Sequence, residues 1–439
     1  MKNATINRRS FLSASAAAGA GLLILKSGTL RAATSPNNKL NIAAIGVRGR
    51  GAADIAGVKS ENIVAICDVN DDHLAAAAKE FPNAKTYTDW RQCLDHKGLD
   101  AVVCATTDHT HAFVCTWAMN RGLHVYCEKP LATSVHEART VRETYLKNKG
   151  KLATQMGTQI HATDNYRRVV ELIRGGAIGT VKDARAWCSR IPAGGNYLPE
   201  VSPTPANMHW DLWNGPSKFH PYNPGYFGGC LAWNRYWDFG AGQIGDMGSH
   251  VMDLAYWALD LRFPTTCEAQ GTPLSTDTCP EWLTATWDHP ANDWRPAVKV
   301  FWYDGGKKPG LPSEQFDREK AFKGVLFTGS AGWLLADYDF RILMLKGDMT
   351  QYKSPVKTDL IPPSLGHHEE WITACKTGSP TLCNFDYSGA MIEHNMLALV
   401  AYRTGKKLEW DAANLKATNC PEADAFVRKT YREGWTLSG

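Results

Sequence analysis

The sequence predicts an α/β protein in which a doubly wound parallel sheet is followed by a domain with a large, mostly antiparallel open sheet. Three observations carry this prediction. Short apolar runs alternate with helical segments early in the chain, longer strand-like runs dominate later, and the composition is that of a globular protein. The chain has 439 residues, 44% of them hydrophobic and 21% charged. At roughly 100–200 residues per domain, this length favours two domains.

The first residues have the pattern of an export signal. Residues 1–33 contain five basic and no acidic residues, and about 12 small or apolar residues follow one another at 14–25. Arg8 and Arg9, followed by Ser-Phe-Leu, are typical of the twin-arginine route for folded proteins. Because a span needs about 20 apolar residues, we expect a signal, a periplasmic or otherwise exported protein, and no stable membrane anchor.

The rest of the chain is close to neutral. The formal net charge is +4, and the basic residues of 1–33 account for it. A neutral domain has no electrostatic reason to bind nucleic acid, so we expect no such partner. The twelve cysteines include no CxxC pair. Those in apolar runs are predicted to lie in the core, and pairing among the later ones stays open.

Five apolar runs indicate the parallel sheet, at 41–47, 62–69, 100–106, 124–130 and 151–157. Continuous apolar strands are typical of a sheet covered on both faces. Helix-like segments between them include His73 to Glu80 and Ala112 to Asn120. The sequence therefore assigns 39–157 to a doubly wound domain and 158–439 to a second domain.

The second domain begins with strand-like runs that lack regular helical crossovers, at 181–189, 282–289 and 296–304. Between Trp187 and Phe239, twelve of 53 residues are aromatic. Loops of this length are uncommon unless they are functional, although these aromatic rings can also serve packing alone. Residues 243–259 return to helical spacing and predict one amphipathic helix.

A glycine motif follows the first strand. Gly46, Gly49 and Gly51 form a G-x-x-G-x-G pattern, and glycine permits a tight turn and close approach to a pyrophosphate at a helix N-terminus. Asp68 ends the second strand 22 residues past Gly46, where a carboxylate can accept hydrogen bonds from ribose hydroxyls. This predicts NAD, with NADP still open because Arg48 or Arg50 can bind a phosphate. The alternative role for Asp68 is that of a turn former.

Two further strand ends carry polar side chains on the same edge of the sheet. Glu128 and Lys129 lie in the Cys-Glu-Lys-Pro sequence that closes the fourth run, and both are predicted to contact the cofactor. Thr106, His109 and His111 follow the third run and are predicted to line the cofactor pocket. The alternatives are a solvated surface role for Lys129 and a structural one for His111.

The last motif lies in the predicted helix of the second domain. Asp246 and His250 are four residues apart, so on one helix they share a face and the carboxylate can orient or charge-tune the imidazole. Most single pairs with this spacing are simply the polar edge of an amphipathic helix.

Taken in order, these motifs resemble the Gfo/Idh/MocA family, which includes glucose–fructose oxidoreductase and inositol dehydrogenase. HVYCEKPLATSVHEA is the most specific piece; GAIGTVKDARAW, GAGQIGDMGSHVMDLAYW and TGKKLEWD are also similar, and the resemblance covers about 39–415. It implies a Rossmann domain, an α/β domain with a large open sheet, an active site between them, and a homo-oligomer, a dimer or tetramer. It also implies that Lys129, Asp246 and His250 are the catalytic residues.

The resulting hypothesis is hydride transfer at a ring carbinol of a sugar, sugar derivative or cyclitol. His250 would act as general base, Lys129 would stabilise the developing alkoxide, and Asp246 would orient His250. The predicted carbohydrate-binding residues are Gln159, His161, Arg167, Trp210, Arg235, Trp237, His367 and His368, and the tryptophan rings are predicted to stack on the apolar side of the sugar. No metal site is predicted, because the histidines lack suitable partner spacing.

Export conflicts with the use of freely exchanging NAD, because no pool of the cofactor is expected outside the cytoplasm. We therefore expect tightly bound NAD. Net dehydrogenation or exchange of electrons between two sugars is one outcome. A redox-neutral reaction through a keto sugar, as in epimerisation or glycoside cleavage, is the alternative. A non-catalytic sugar-binding protein is a third possibility, which the presence of all three catalytic residue types disfavours.

Overall fold

The computed structural model describes residues 39–311, 322–346 and 361–438. The predicted export signal, 1–33, lies outside the described residues. Within the described ranges the chain forms two extended sheets, one in each predicted domain. None of the helices in these ranges combines the length and hydropathy that crossing a bilayer requires.

The first sheet is parallel throughout and has the order β3-β2-β1-β4-β5-β6. Its strands are β1 (Asn41–Ile45), β2 (Asn62–Cys67), β3 (Lys85–Tyr87), β4 (Ala101–Cys104), β5 (His124–Cys127) and β6 (Thr154–Met156). The chain reverses its direction of travel across the sheet between β1 and β4. The carboxyl ends of the strands therefore open a crevice at this point, where ligands of such folds bind.

Helices cover this sheet, and side-chain caps define where several of them begin. They are α1 (Arg50–Gly57), α2 (Asp71–Glu80), α3 (Trp90–Leu94), α4 (Asp108–Asn120) and α5 (Val135–Lys147). Asn70 accepts hydrogen bonds from the N–H groups of Asp72 and His73. Ser134 caps α5 in the same way. Each such cap stabilises its helix by about 1 kcal/mol.

The second sheet has nine strands in the order β13-β12-β11-β7-β10-β9-β8-β14-β15. They are β7 (Val181–Cys188), β8 (Thr266–Gly271), β9 (Leu283–His289), β10 (Val298–Asp304), β11 (Lys323–Gly329), β12 (Gly332–Ala336), β13 (Arg341–Leu345), β14 (Leu408–Asp411) and β15 (Lys416–Ala417). Of the pairs in the described residues, β7 with β10 is parallel and the others are antiparallel. The predicted fold class is confirmed.

Burial alternates strictly along β9, as expected for a sheet that is covered on one face. The helices of the second domain are α6 (Asp164–Arg174), α7 (Trp210–Asn214), α8 (Cys230–Trp233), α9 (Gly242–Asp246), α10 (Gly248–Ala258), α11 (His367–Thr377), α12 (Phe385–Thr404) and α13 (Asp424–Val427). Of these, α10 packs on β7 and β11.

The predicted single helix at 243–259 is wrong in one respect. The structure divides it at Met247 into α9 and α10. The break lies between Gly245 and Gly248, and glycine has a low helix propensity, so an interruption costs little there. Asp246 is therefore the last residue of α9, whereas His250 lies in the first turn of α10.

The two domains share one core. Helix α12 is buried along nearly its whole length because it packs against α5 of the first domain and β8 of the second. Arg139 donates two hydrogen bonds of 2.8 Å to Glu393 across this contact. Breaking such a buried pair by removing one partner costs about 3–5 kcal/mol. The domains are thus fixed relative to each other by packing and by charge.

The aromatic segment is ordered by its own packing. Trp210, Trp213, Tyr226, Tyr236 and Phe239 form a separate buried cluster. All twelve cysteines lie within the described residues and are free thiols, and all but Cys230 are buried. The prediction that Cys67, Cys104 and Cys127 are core residues is confirmed.

Candidate active site

The glycine turn after β1 brings two backbone segments too close for side chains. Gly46 has φ +81°, and a Cβ there would lie 2.4 Å from the carbonyl oxygen of Ala105. A Cβ on Gly51 would lie 1.9 Å from the carbonyl oxygen of Gly46. Gly49, with φ +59°, caps α1 without a side-chain hydrogen bond. The turn therefore presents bare backbone at a helix N-terminus, which suits a phosphate.

Asp68 lies directly after β2 and is held in place by the backbone. Its carboxylate accepts hydrogen bonds from the N–H groups of Val47 (3.1 Å) and Asn70 (3.0 Å). His73 Nδ1 lies 3.5 Å from Asp68 Oδ1, and the hydrogen bond to Asp68 raises the pKa of His73. Asp68 is thus a fixed acceptor, and its local bonds also fit the turn-forming role.

A cavity of about 440 Å³ lies between the glycine turn and Asp68. This volume is within the range of small-molecule and cofactor sites. Of the predicted cofactor-binding residues, Gly46, Arg48, Asp68 and Thr106 line it. The opposite wall comes from the second domain and contains Pro205, Asn207, Met208, Leu212, Trp213, Tyr222, Phe227 and Trp233. The glycine cradle, the strand-end carboxylate and the cavity together fit a dinucleotide.

Arg50 and Glu128, both predicted to bind the cofactor, contact each other. Arg50 donates to Glu128 Oε1 at 3.0 Å and pairs with Asp54 at 2.8 Å. Burial and the nearby charge of Asp54 raise the pKa of Glu128 to about 7, although Arg50 opposes this. His368 of the second domain also reaches Asp54, at 3.2 Å. This cluster joins α1 to α11 beneath the glycine turn.

The predicted pocket histidines are engaged elsewhere. His109 Nε2 contacts the carbonyl oxygen of Trp213 at 2.9 Å, and burial lowers the pKa of His109 to about 4. The ring nitrogens of His111 lie 2.7 Å from the carbonyl oxygen of Pro130 and 3.0 Å from that of Thr106. Both rings therefore fix loops around the site, which for His111 is the structural alternative named above.

Lys129 forms the centre of the second part of the site. Its Nζ donates to Asp246 Oδ1, and Arg190 Nη1 donates to Asp246 Oδ2 at 2.8 Å. Burial alone would lower the pKa of Lys129, but the charge of Asp246 outweighs it and raises that pKa. Burial opposes ionisation of Asp246, yet the charges of Lys129 and Arg190 lower its pKa. One carboxylate thus serves two cations in the cleft.

His250 is neutral. Burial, and next the positive charge of Lys129, lower its pKa to about 3. Its Nδ1 is buried and has no hydrogen-bond partner within the described part of the chain. There is also no hydrogen bond from His250 to Asp246 in those residues, so the predicted orienting contact is not formed. Both carboxylate oxygens of Asp246 are instead used by Lys129 and Arg190, and Asp246 acts on His250 through its charge.

Sequence reasoning missed three neighbours of this site. Arg190 follows β7, and a basic residue just beyond a strand end was the available signal. Asp108 accepts a 3.0 Å hydrogen bond from Trp233 Nε1, and burial raises the pKa of Asp108. Cys230 Sγ lies 3.9 Å from Asp246 Oδ2, and burial raises the pKa of Cys230 to about 11. Asp108 lies within the stretch from Thr106 to His111, which was the available signal for it, whereas Cys230 belongs to no recognisable motif.

Several predicted substrate-binding residues bridge the domains. With its amide oriented to satisfy both partners, Gln159 donates to the carbonyl of Gly157 and accepts from Arg50 at 3.2 Å. His367 Nε2 contacts the carbonyl oxygen of Met156 at 2.8 Å, and His368 stacks on Tyr126. These side chains lie on the Arg50 side of the site.

The other predicted substrate-binding residues are used inside the second domain. His161 pairs with Asp253 at 3.0 Å, Arg167 donates to the carbonyl of Pro362, and Arg235 donates to the hydroxyl of Tyr236. Trp210 and Trp237 are 4% and 8% exposed. Sugar stacking needs an open ring face, so the structure does not support the stacking predicted for these two tryptophans.

Two profiles of one family match the chain. The first, described as an oxidoreductase family with an NAD-binding Rossmann fold, covers residues 40–156. The second, described as the C-terminal α/β domain of the Gfo/Idh/MocA oxidoreductase family, covers residues 181–437.

Individual relatives are more distant. Inositol 2-dehydrogenase of Salmonella typhimurium is 31% identical over 147 residues, which are 32% of this chain and 43% of the relative. Levoglucosan dehydrogenase of Pseudarthrobacter phenanthrenivorans is 27% identical over 190 residues, 43% of this chain and 40% of the relative. The matched region therefore spans less than half the length of either enzyme.

Solved structures share the fold over most of the chain. The WlbA dehydrogenase of Bordetella pertussis, solved with NADH and UDP-GlcNAcA, has a TM-score of 0.60 at 14% identity and covers 85% of this chain and 99% of its own. An NAD-binding protein from Listeria innocua has a TM-score of 0.58 at 12% identity, covering 85% and 100%. At such identities the likeness establishes the fold alone.

Proposed function

The chain belongs to the Gfo/Idh/MocA oxidoreductase family, and from this premise we propose that it is an NAD-dependent oxidoreductase acting on a ring carbinol of a sugar, sugar derivative or cyclitol. The observation that carries the proposal is the ion pair between Lys129, at the carboxyl end of β5, and Asp246, on α9 of the other domain. It holds the Lys129 ammonium group in the cleft between the domains, close enough for its charge to act on the neutral imidazole of His250. Relatives named for inositol and levoglucosan support a polyhydroxylated ring as substrate.

Each side chain has a role that follows from its charge. Lys129 stays protonated beside Asp246, so its ammonium group donates a hydrogen bond to the carbinol oxygen and stabilises the developing alkoxide. His250 is neutral and takes the hydroxyl proton as general base. Asp246 holds the Lys129 ammonium group in position, and Arg190 in turn holds the carboxylate of Asp246. When bound, NAD supplies the hydride acceptor.

The cofactor is NAD rather than NADP in this proposal. Asp68 is fixed at the end of β2 by two backbone N–H groups. A carboxylate at this position accepts hydrogen bonds from ribose hydroxyls and repels a 2′-phosphate. Arg48 also lines the cavity and is the residue through which NADP would be accommodated.

A direct test begins with the cofactor and ends with turnover. The protein is purified without added nucleotide and denatured, and the released nucleotide is identified by mass spectrometry. It is then assayed at 340 nm with NAD and myo-inositol, levoglucosan or simple glycosides. We expect NAD and turnover that Lys129→Met abolishes. Lys149→Met, at an exposed position just after α5, serves as control. Tight sugar binding without any product would instead favour a non-catalytic protein.

A redox-neutral reaction is the second candidate. The observation in its favour is that the second domain encloses one side of the nucleotide cavity, which supports tightly bound NAD. In such a reaction a carbinol is oxidised to a ketone and reduced again within one turnover, as in epimerisation or glycoside cleavage. Product analysis by NMR without added NAD distinguishes the two: new sugars without accumulated NADH indicate redox-neutral chemistry.

Export and self-association complete the proposal. The pair Arg8-Arg9 supports twin-arginine export to the periplasm, and replacing both with lysine is expected to retain the protein in the cytoplasmic fraction. A homo-oligomer, a dimer or tetramer, is expected from the family, and light scattering measures it directly. A monomer would contradict this part of the proposal alone.

A further inference from the structure

The aromatic segment of the second domain lies across the nucleotide cavity of the first. Residues 205–233, here called the strap, contribute eight of the cavity-lining residues. The remaining lining residues come from the carboxyl ends of β1, β2, β3 and β4 and the loops and helices that follow them. The cavity is therefore built jointly by both domains at the end near Asp68.

The backbone of the strap continues the loop that follows Asp68. Asn70 and Met208 form an isolated antiparallel β-bridge. The N–H of Asp71 donates to the carbonyl of Asn207 at 2.9 Å, and the N–H of His209 donates to the carbonyl of Val69 at 2.8 Å. Backbone hydrogen bonds thus join the strap to the loop that begins at Asp68, the proposed acceptor for the ribose hydroxyls.

Side chains reinforce this end. Asn207 Nδ2 donates to Asp72 Oδ2 at 2.7 Å, and His209 Nε2 lies 3.0 Å from Asp71 Oδ1. Both carboxylates belong to the first turn of α2. These contacts are partly exposed, so each contributes modestly on its own.

Two further contacts tie the strap to the start of α4. His109 Nε2 contacts the carbonyl oxygen of Trp213 at 2.9 Å, and Trp233 Nε1 donates to Asp108 Oδ1 at 3.0 Å. Between these ends, Trp210, Trp213 and Tyr226 are packed in the buried aromatic cluster. The strap is therefore a packed body that is fixed on two sides of the cavity.

Trp213 belongs to the buried cluster and also lines the cavity, whereas three other lining rings of the strap pack against the cluster from outside. Tyr222, Phe227 and Trp233 line the cavity and are only half-buried. Aromatic faces of this kind can stack on any nucleobase, adenine included, because every base has a π-face. The cavity is also lined by Thr88 and Trp90, beyond Asp68, whereas Lys129 is not among its lining residues.

We propose that the strap is the outer wall of the adenosine site, binding the adenine and ribose half of the dinucleotide and retaining it through many turnovers. The inference rests on the proposed NAD-dependent function. It assigns Tyr222 and Phe227 to nucleotide binding and gives the aromatic segment a role at the cofactor in place of the predicted sugar stacking. Release of the nucleotide then requires the Asn207–His209 end of the strap to separate from α2.

The first experiment measures nucleotide exchange. Purified protein with its bound NAD is mixed with excess isotope-labelled NAD, and the bound fraction is followed by mass spectrometry after rapid gel filtration. We expect exchange with a half-time on the order of an hour, and at least about tenfold faster exchange in Asn207→Ala/His209→Ala because the strap loses two contacts with α2. Asn165→Ala, which removes side-chain hydrogen bonds to Asp337 and Phe340, is the control. Exchange within seconds in the unmodified protein, or no difference between the double variant and the control, would overturn the inference.

A second measurement covers the case in which the double variant fails to fold. Phe227→Ala is compared with Phe219→Ala, an exposed residue of the same strap that does not line the cavity. Calorimetry on protein freed of nucleotide is expected to give about tenfold weaker binding of ADP-ribose in Phe227→Ala only, with nicotinamide mononucleotide unchanged in both. Equal affinities in the two variants would contradict the assignment. If the unmodified protein binds neither ADP-ribose nor NAD, the proposed function is wrong. If it binds NAD but exchanges it rapidly, only the role of the strap in retaining the nucleotide is wrong.

Discussion

The two ends of the cleft are built in different ways. The nucleotide end, around Gly46 and Asp68, consists of bare backbone, one carboxylate held by N–H groups, and apolar or aromatic walls. The lysine end consists of charged groups, with Lys129 and Arg190 sharing the buried carboxylate of Asp246. The first end depends on shape and the second on charge.

This difference determines what each end can tolerate. A shape made by backbone fails when atoms are added, because close packing leaves no room for them. A charge cluster fails when one member is removed, because the remaining charges stay desolvated and unpaired. Substitutions at the two ends should therefore separate nucleotide binding from turnover.

The largest expected effect is at the lysine end. Lys129→Met should lower kcat by on the order of a thousandfold, because it removes the group that stabilises the developing alkoxide. Bound NAD should persist, since Lys129 does not line the nucleotide cavity. Steady-state kinetics and nucleotide content measure both quantities. Loss of the nucleotide together with activity would show that the two ends are not separable.

The next effect is at the nucleotide end. Gly51→Ala places a Cβ against the Gly46 carbonyl and should cost about 3 kcal/mol of nucleotide binding, on the order of a hundredfold in affinity. Gly49→Ala is the matched control, because nothing lies within 4 Å of a Cβ there. Its positive φ should cost only about 1 kcal/mol. Calorimetric titration with NAD tests the pair, and equal losses would contradict the steric argument.

A smaller effect is expected from Arg190, the positioning residue. Arg190→Gln leaves Asp246 with Lys129 alone and should lower kcat/KM by roughly tenfold, because Arg190 acts through Asp246. It also removes a positive charge that lowers the pKa of His250. That pKa should rise, and the acid limb of the kcat/KM profile should move to higher pH. Arg190→Lys should return the acid limb to its original pH. If the acid limb of Arg190→Gln does not move, Arg190 has a structural role only.

The smallest effect concerns Glu128, which stands between the two ends. Burial raises the pKa of Glu128 to about 7 in the folded protein. Its protonation therefore contributes stability that is fully present below the ordinary pKa of a glutamate and is lost as pH rises through about 7. From pH 5 to pH 8 the unmodified protein should therefore lose at least about 1 kcal/mol more free energy of unfolding than Glu128→Gln does. Thermal unfolding at the two pH values checks this. Glu143→Gln, at an exposed position, should show no such trend.

Much of the fold and about half of the site could be predicted. Apolar runs marked the parallel strands, and glycine spacing marked the turn, because both depend on neighbouring residues. The aromatic segment was harder. Its composition indicated a functional loop, but whether Trp210 faces a ligand or a neighbouring ring depends on packing between residues far apart in sequence.

By itself the sequence determined the order of elements, the family, the glycine turn and the presence of Lys129, Asp246 and His250. Only the tertiary structure decided that Asp246 serves Lys129 and Arg190 instead of His250, and that the second domain closes the nucleotide cavity. The physical reason is range. Backbone conformation and hydrophobic period are set within a few residues, whereas the pairing of a buried charge depends on which distant groups share its low-dielectric surroundings.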